Sequence, residues 1–167
     1  MKRLLLILII GMYSLTCYSQ EIFSTEKGGD WNNPISVNEG LVDCEATDRK
    51  SQKHKLCFQV VRADVDPKLW KSLNNYGKVA TAQNTEALVE TIKSAITSKA
   101  NKRKIPKISR KGVTLTLDAN KLPALSFDSV IEAFGSQWGS WASKLGFESI
   151  WLVGPNESLT WRLDIQS

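Results

Sequence analysis

Apolar residues recur along this chain in three rhythms, and each rhythm predicts a different kind of element. The first has a period of two, the signature of extended backbone whose successive side chains point to opposite faces. Over 55–65, Leu56, Phe58 and Val60 take one side and Cys57, Gln59 and Val61 the other. Over 112–118, Val113, Leu115 and Leu117 alternate with Thr114, Thr116 and Asp118, which predicts a strand with one wet face. A further strand is read over 35–44, broken at Glu39-Gly40. The chain closes with a hairpin of 149–153 and 158–165 around the turn Gly154-Pro155-Asn156-Glu157. In its last strand Leu159, Trp161, Leu163 and Ile165 share a face, and the pairing is expected to make Trp151 and Trp161 neighbours. The polar stretch 45–54 is expected to be an exposed loop.

The second rhythm is helical. Asp66 and Pro67 suit the cap and first position of a short helix carrying Leu69, Trp70 and Leu73. From Asn84 or Thr85 to Lys99, a stripe of Leu88, Val89, Ile92, Ala95 and Ile96 predicts an amphipathic helix, with Glu86 and Glu90 early and Lys93 and Lys99 late, as the macrodipole favours. A third helix is announced by Ser126 as its cap, with Leu125 and Val130 placed to close as a hydrophobic staple. Phe127, Val130, Ile131, Phe134, Trp138, Trp141, Ala142 and Leu145 follow at helical spacing, and Gly146 can end it in the left-handed conformation. Two hairpins with helices between them predict an α+β fold: a twisted, mostly antiparallel sheet with helices packed on one face. The stretch 55–153 can also be read as a split strand-helix-strand unit of ferredoxin-like type.

The third rhythm is no alternation at all. Leu4 to Ile10 is an unbroken apolar run, preceded by Lys2 and Arg3 and followed by a polar exit ending Cys17-Tyr18-Ser19. The run is shorter than the roughly 20 residues a membrane-spanning helix needs, and it has the composition of an export signal cut before Gln20. Residues 1–19 are accordingly read as a signal peptide, 20–34 as an irregular arm that Trp31 pins to the body, and 35–167 as a single domain. A periplasmic or secreted location follows. Thr16 before Cys17 and Ser14 three places back depart from the bacterial lipoprotein pattern, so soluble release is expected over lipidation.

In an oxidising compartment Cys44 and Cys57, separated by twelve residues, are expected to form a disulfide across the polar loop. Closing a loop of that size stabilises a fold by about 3 kcal/mol on the chain-entropy account. The competing arrangement is a metal site of Cys44, His54 and Cys57 with Asp43 or Glu45, but Cys44 has no sulfur or imidazole close by in sequence, as structural zinc sites do. No metal or cofactor is expected.

The formal net charge is +5, and loss of Lys2 and Arg3 with the signal lowers it by two. So mild an excess does not call for nucleic acid as a partner. The excess is concentrated in one place: Lys99, Lys102, Arg103, Lys104, Lys107, Arg110 and Lys111 fall within thirteen residues that contain no acid. A solvated connector accounts for such a run. So does a surface that steers an acidic protein partner or anionic lipid toward the molecule.

Catalytic signatures are not found. The one histidine, His54, sits in the polar loop, and there is no nucleophile elbow, zinc-protease, phosphate-loop or dinucleotide pattern. Scattered acids such as Asp43, Glu45, Asp64, Asp66 and Asp118 leave a small hydrolase as the third-ranked reading. Gly135 and Gly139 put two bare positions on one helix face, suited to close packing or to a second copy forming a homodimer. Trp138 and Trp141 cannot both point straight into the core beside Phe134, so one of them is expected at a margin where it can anchor an interface. The reading that follows is an exported binding protein that captures a protein partner, as an inhibitor, an immunity protein or an envelope-assembly accessory would. Its contacts are expected at Lys102, Arg103, Lys104, Trp138, Trp141 and the loop bearing His54. A binder of glycan, peptidoglycan or anionic lipid is the alternative.

Overall fold

The computed structural model describes residues 32, 35–39, 42–50, 53–63, 84–101, 110–119, 127–154 and 160–165. The expected signal peptide, Trp31, the helix expected after Asp66, the cap at Ser126 and the cations Lys102, Arg103 and Lys104 lie outside the described residues. The described elements run in the order β1 (Ile35–Glu39), β2 (Val42–Thr47), β3 (Lys55–Arg62), α1 (Thr85–Ala100), β4 (Val113–Asp118), α2 (Phe127–Ser143), β5 (Ser149–Val153) and β6 (Thr160–Arg162). The fold is α+β. The strand expected over 35–44 is two antiparallel strands, and β2 extends through Thr47 into what the polar composition suggested was loop.

All six strands form one sheet in chain order, β1-β2-β3-β4-β5-β6. The outer pairs β1–β2, β2–β3 and β5–β6 are antiparallel, whereas β3–β4 and β4–β5 are parallel. The parallel strands are therefore direct neighbours, with nothing inserted between them, and the split arrangement of a ferredoxin-like unit is not seen. Each parallel step needs a crossover, which α1 and α2 supply. Right-handed crossovers that advance across the sheet in one direction place their helices on the same face.

That face holds the core. Leu88, Val89, Ile92 and Ile96 of α1 and Phe127, Val130, Phe134 and Ala142 of α2 meet Leu115, Leu117, Ile150 and Leu152 of the central strands. Asn84 caps α1 as its side-chain oxygen accepts from Ala87 N–H at 2.9 Å. Past the end of α2, Gly146 has φ +86°, the conformation that stops a helix and that glycine adopts without steric cost.

The second face of the sheet corrects an expectation. Thr114 and Thr116 are each 4% exposed, so the side of β4 expected to be wet is buried as well. In register, Thr114 stands between Phe58 and Ser149 and Thr116 between Val60 and Trp151, so side chains of the two neighbouring strands flank the threonines on that face. Thr114 meets this burial by sharing a hydrogen bond with Ser149 of β5, Oγ1 to Oγ 3.1 Å apart, while Thr116 Oγ1 has no partner among the described residues. Trp151 lies opposite Arg162 and Trp161 opposite Leu152, so the two indoles occupy opposite faces and are not neighbours.

Candidate binding surface

Cys44 and Cys57 are free thiols, and the expected disulfide is not formed. Register gives the cause. Cys44 is paired with Phe58 and Cys57 with Glu45, one step apart on the ladder, so the two sulfurs leave from opposite faces of the sheet. Bringing them together would need a one-residue slip, which would separate Cys44 and Ala46 from Phe58 and Leu56, with which they pack on the second face. Burial and the neighbouring Asp43 push the Cys44 thiol up to about 11, and burial followed by Glu45 raises that of Cys57.

The loop between β2 and β3 is pinned at its ends, where Asp48 N–H donates to His54 O at 3.1 Å. His54 itself stands in solvent with its Nδ1 4.0 Å from Asp48. Among the described residues no group of three or more His, Cys, Asp or Glu side chains could hold a metal ion. Near the same strand end, Asn32 N–H donates to Thr47 O at 2.9 Å and its side chain accepts from Arg49 Nε at 3.1 Å, so the arm is tied to β2 there.

The basic segment divides. Arg110 is buried beneath the two helices, where Nη1 donates to Leu145 O at 2.9 Å and Nη2 to Ala100 O, with the Phe147 ring 5.4 Å away. Lys99 is largely covered and reaches Asp43 of β2 at 3.8 Å. Both cations act within the fold. Lys111 is exposed.

Trp138 and Trp141 are half-buried against the core, edge to face with ring centres 6.0 Å apart. Lys93 of α1 sits 3.6 Å above the Trp138 ring, so that indole belongs to the seam between the helices. Gly135 and Gly139 are buried.

Among the described residues, two open grooves flank the helical layer. One, of about 510 Å³, runs between β3 and α1 past Arg62, Glu90, Thr91, Ser94 and Ser98. Its described lining is hydroxyls and charges over Val61 and Ala95, with no aromatic ring on which a sugar could stack. The other, of about 290 Å³, lies between α2 and the edge strand β6. Its floor is apolar: Ile131 and Gly135 from the helix, Trp161, Leu163 and Ile165 from the strand and its extension. Gly135 contributes only backbone to this lining. The Trp161 ring is stacked on Phe127, centres 5.4 Å apart and planes at 19°, which fixes its orientation.

The rim of the second groove is charged. Arg162 is matched, since its Nε and Nη2 donate to the Asp164 carboxylate at 3.0 and 3.2 Å. Asp128 and Glu132, exposed on consecutive turns of α2, have no ion-pair or hydrogen-bond partner among the described residues, so the described rim of the groove keeps a negative edge. Of these rim and floor residues the sequence singles out Gly135, as one of two bare helix positions, but not Asp128, Glu132, Ile131 or Ile165. The available signals were the period-two face ending in Ile165 and the two acids four apart, each of which is ordinary until the helix and the edge strand are brought together.

Among the described residues neither groove gathers a nucleophile, a base and an orienting group. Comparison of the chain with protein-family models, with curated proteins and with solved structures gave no match.

Proposed function

We propose that this chain is an exported binding protein, without catalytic chemistry of its own, that captures a protein partner in the groove between α2 and β6. The observation that carries the reading is the open apolar floor: Ile165 is 53% exposed beside a Trp161 already held in place by Phe127. Affinity at protein interfaces concentrates in a few apolar or aromatic anchors, and an anchor that is ordered before binding loses little entropy when the partner arrives. Inhibitors, immunity proteins and envelope-assembly accessories act in this way. Export rests on the composition of residues 1–19, and the intact mass of the naturally produced protein, expected to begin at Gln20, tests it.

The binding test uses the natural chain and its Ile165→Asp variant as baits in extract from the source envelope and medium. Because Ile165 is exposed, the substitution should change stability by no more than about 0.5 kcal/mol. The expected result is one protein enriched by the wild type and lost with the variant. Equal enrichment by both would move the contact away from this groove. Retention on cell-wall material or anionic vesicles alone, or hydrolytic turnover lost when a groove acid is replaced, would overturn protein capture.

A further inference from the structure

The negative edge of the α2–β6 groove is only partly accounted for by the fold. Asp128, in the first turn of α2, complements the helix dipole, but Glu132 lies beyond that turn and faces Asp128 four residues away. Like charges at that spacing weaken a helix by about 0.2–0.5 kcal/mol. The helix offers no lysine or arginine that could relieve the repulsion, since none occurs between Phe127 and Ser143. Across the groove, Arg162 is taken up by Asp164, whose Oδ1 also accepts from Ile150 N–H at 3.1 Å. Two carboxylates thus stand over an apolar trough with no cation among the described residues to answer them.

We infer that the captured partner presents a lysine or arginine beside its apolar anchor: the anchor enters between Ile131, Trp161 and Ile165, and the cation meets Asp128 and Glu132. This rests on the reading of the groove as the contact surface and adds the chemistry of what it receives. A symmetric contact with a second copy through the same groove would set two acidic rims against each other, and such like-charge contacts are unfavourable.

The probes are two peptides that differ only in sign, a leucine flanked by lysines and the same leucine flanked by glutamates, titrated against the full chain while following Trp fluorescence and amide shifts at Ile131 and Trp161. The lysine peptide should bind, with its affinity falling as salt is raised from 0.05 to about 1 M, where screening acts within about 3 Å. Neutralising Asp128→Asn and Glu132→Gln should each weaken it about two- to fivefold, the range of an exposed ion pair. The double reversal Asp128→Lys/Glu132→Lys should transfer preference to the glutamate peptide. Equal binding of both peptides, or binding indifferent to salt and to the acid variants, would overturn the inference while leaving apolar capture standing. A natural partner lost with Ile165→Asp but held unchanged by the Asp128→Asn/Glu132→Gln double variant would do the same. Failure of Ile165→Asp to affect capture removes the groove reading itself. Concentration-dependent self-association that disappears when Lys102, Arg103 and Lys104 are neutralised would assign the acids to a second copy and overturn the partner chemistry.

Discussion

Arg110 closes the C-terminal ends of both helices with one side chain. The carbonyls it reaches, Ala100 O and Leu145 O, lie where the helix dipoles gather negative charge, and the planar guanidinium can address the two at once. Burial lowers its pKa from the ordinary value, the cost of holding a cation there. Hydrogen bonds to charged groups contribute about 1.5–3 kcal/mol each, so Arg110→Met should destabilise the protein by roughly 2–4 kcal/mol in urea unfolding. Arg110→Lys should restore less than half of this, because an ammonium offers no fork. Nothing in the run of seven cations distinguishes Arg110 from Lys111 one position on, since burial is a property of where the chain returns and not of local composition. Cys44 gives a pH-dependent consequence. Its folded-state pKa lies above the unfolded value of 9.0, so the unfolded chain releases the proton first as pH rises. Stability from this group is therefore complete below pH 9 and is lost between 9 and about 11. The difference between wild type and Cys44→Ala in unfolding midpoint, followed from pH 8 to 11, should narrow in the alkaline range.

Among the elements, the helices and β5 were legible because their signals are local. The stripe of α1 and the apolar series of α2 fix a period of 3.6 within the segment itself, and Gly146 marks the stop through a backbone angle that only its own residue type accepts at little cost. Gly146→Ala should accordingly cost about 1–2 kcal/mol in thermal or urea unfolding, the penalty for a left-handed L-residue. β4 reads differently. Alternating leucines and threonines describe a strand with a polar side, but they cannot say whether that side meets water. Thr116 Oγ1 is buried without a hydrogen-bond partner among the described residues, so the near-isosteric Thr116→Val should be neutral or stabilising by up to about 1 kcal/mol in urea unfolding. A clear loss of stability would mean the hydroxyl is bonded. The cysteines make the same point for register: their sequence separation suits a loop closure, yet a ladder offset of one residue sends them to opposite faces.

At the scale of the whole molecule, one apolar cluster joins both helices to the strands β4 and β5 and to Leu163 just beyond β6, which leaves no subset of these elements with a core of its own. Unfolding should therefore be a single cooperative transition, with tertiary signals from the tryptophans and far-ultraviolet helix signals coinciding in thermal melts. Two separated transitions would show that the outer antiparallel strands fold as an independent unit. Local spacing and residue type sufficed for the α+β class, the positions of the two described helices and the alternation within β3 and β4, because each depends on a short stretch of chain. Contacts between distant segments were needed to see that the central strands run parallel, that the threonine face of β4 is dry, that Arg110 is a clamp, that the thiols stay apart, and that Ile165, Trp161 and Ile131 share a groove rimmed by Asp128 and Glu132. These depend on which distant segments the chain brings side by side, and that choice is made by burying one collective core, to which no single local pattern has access.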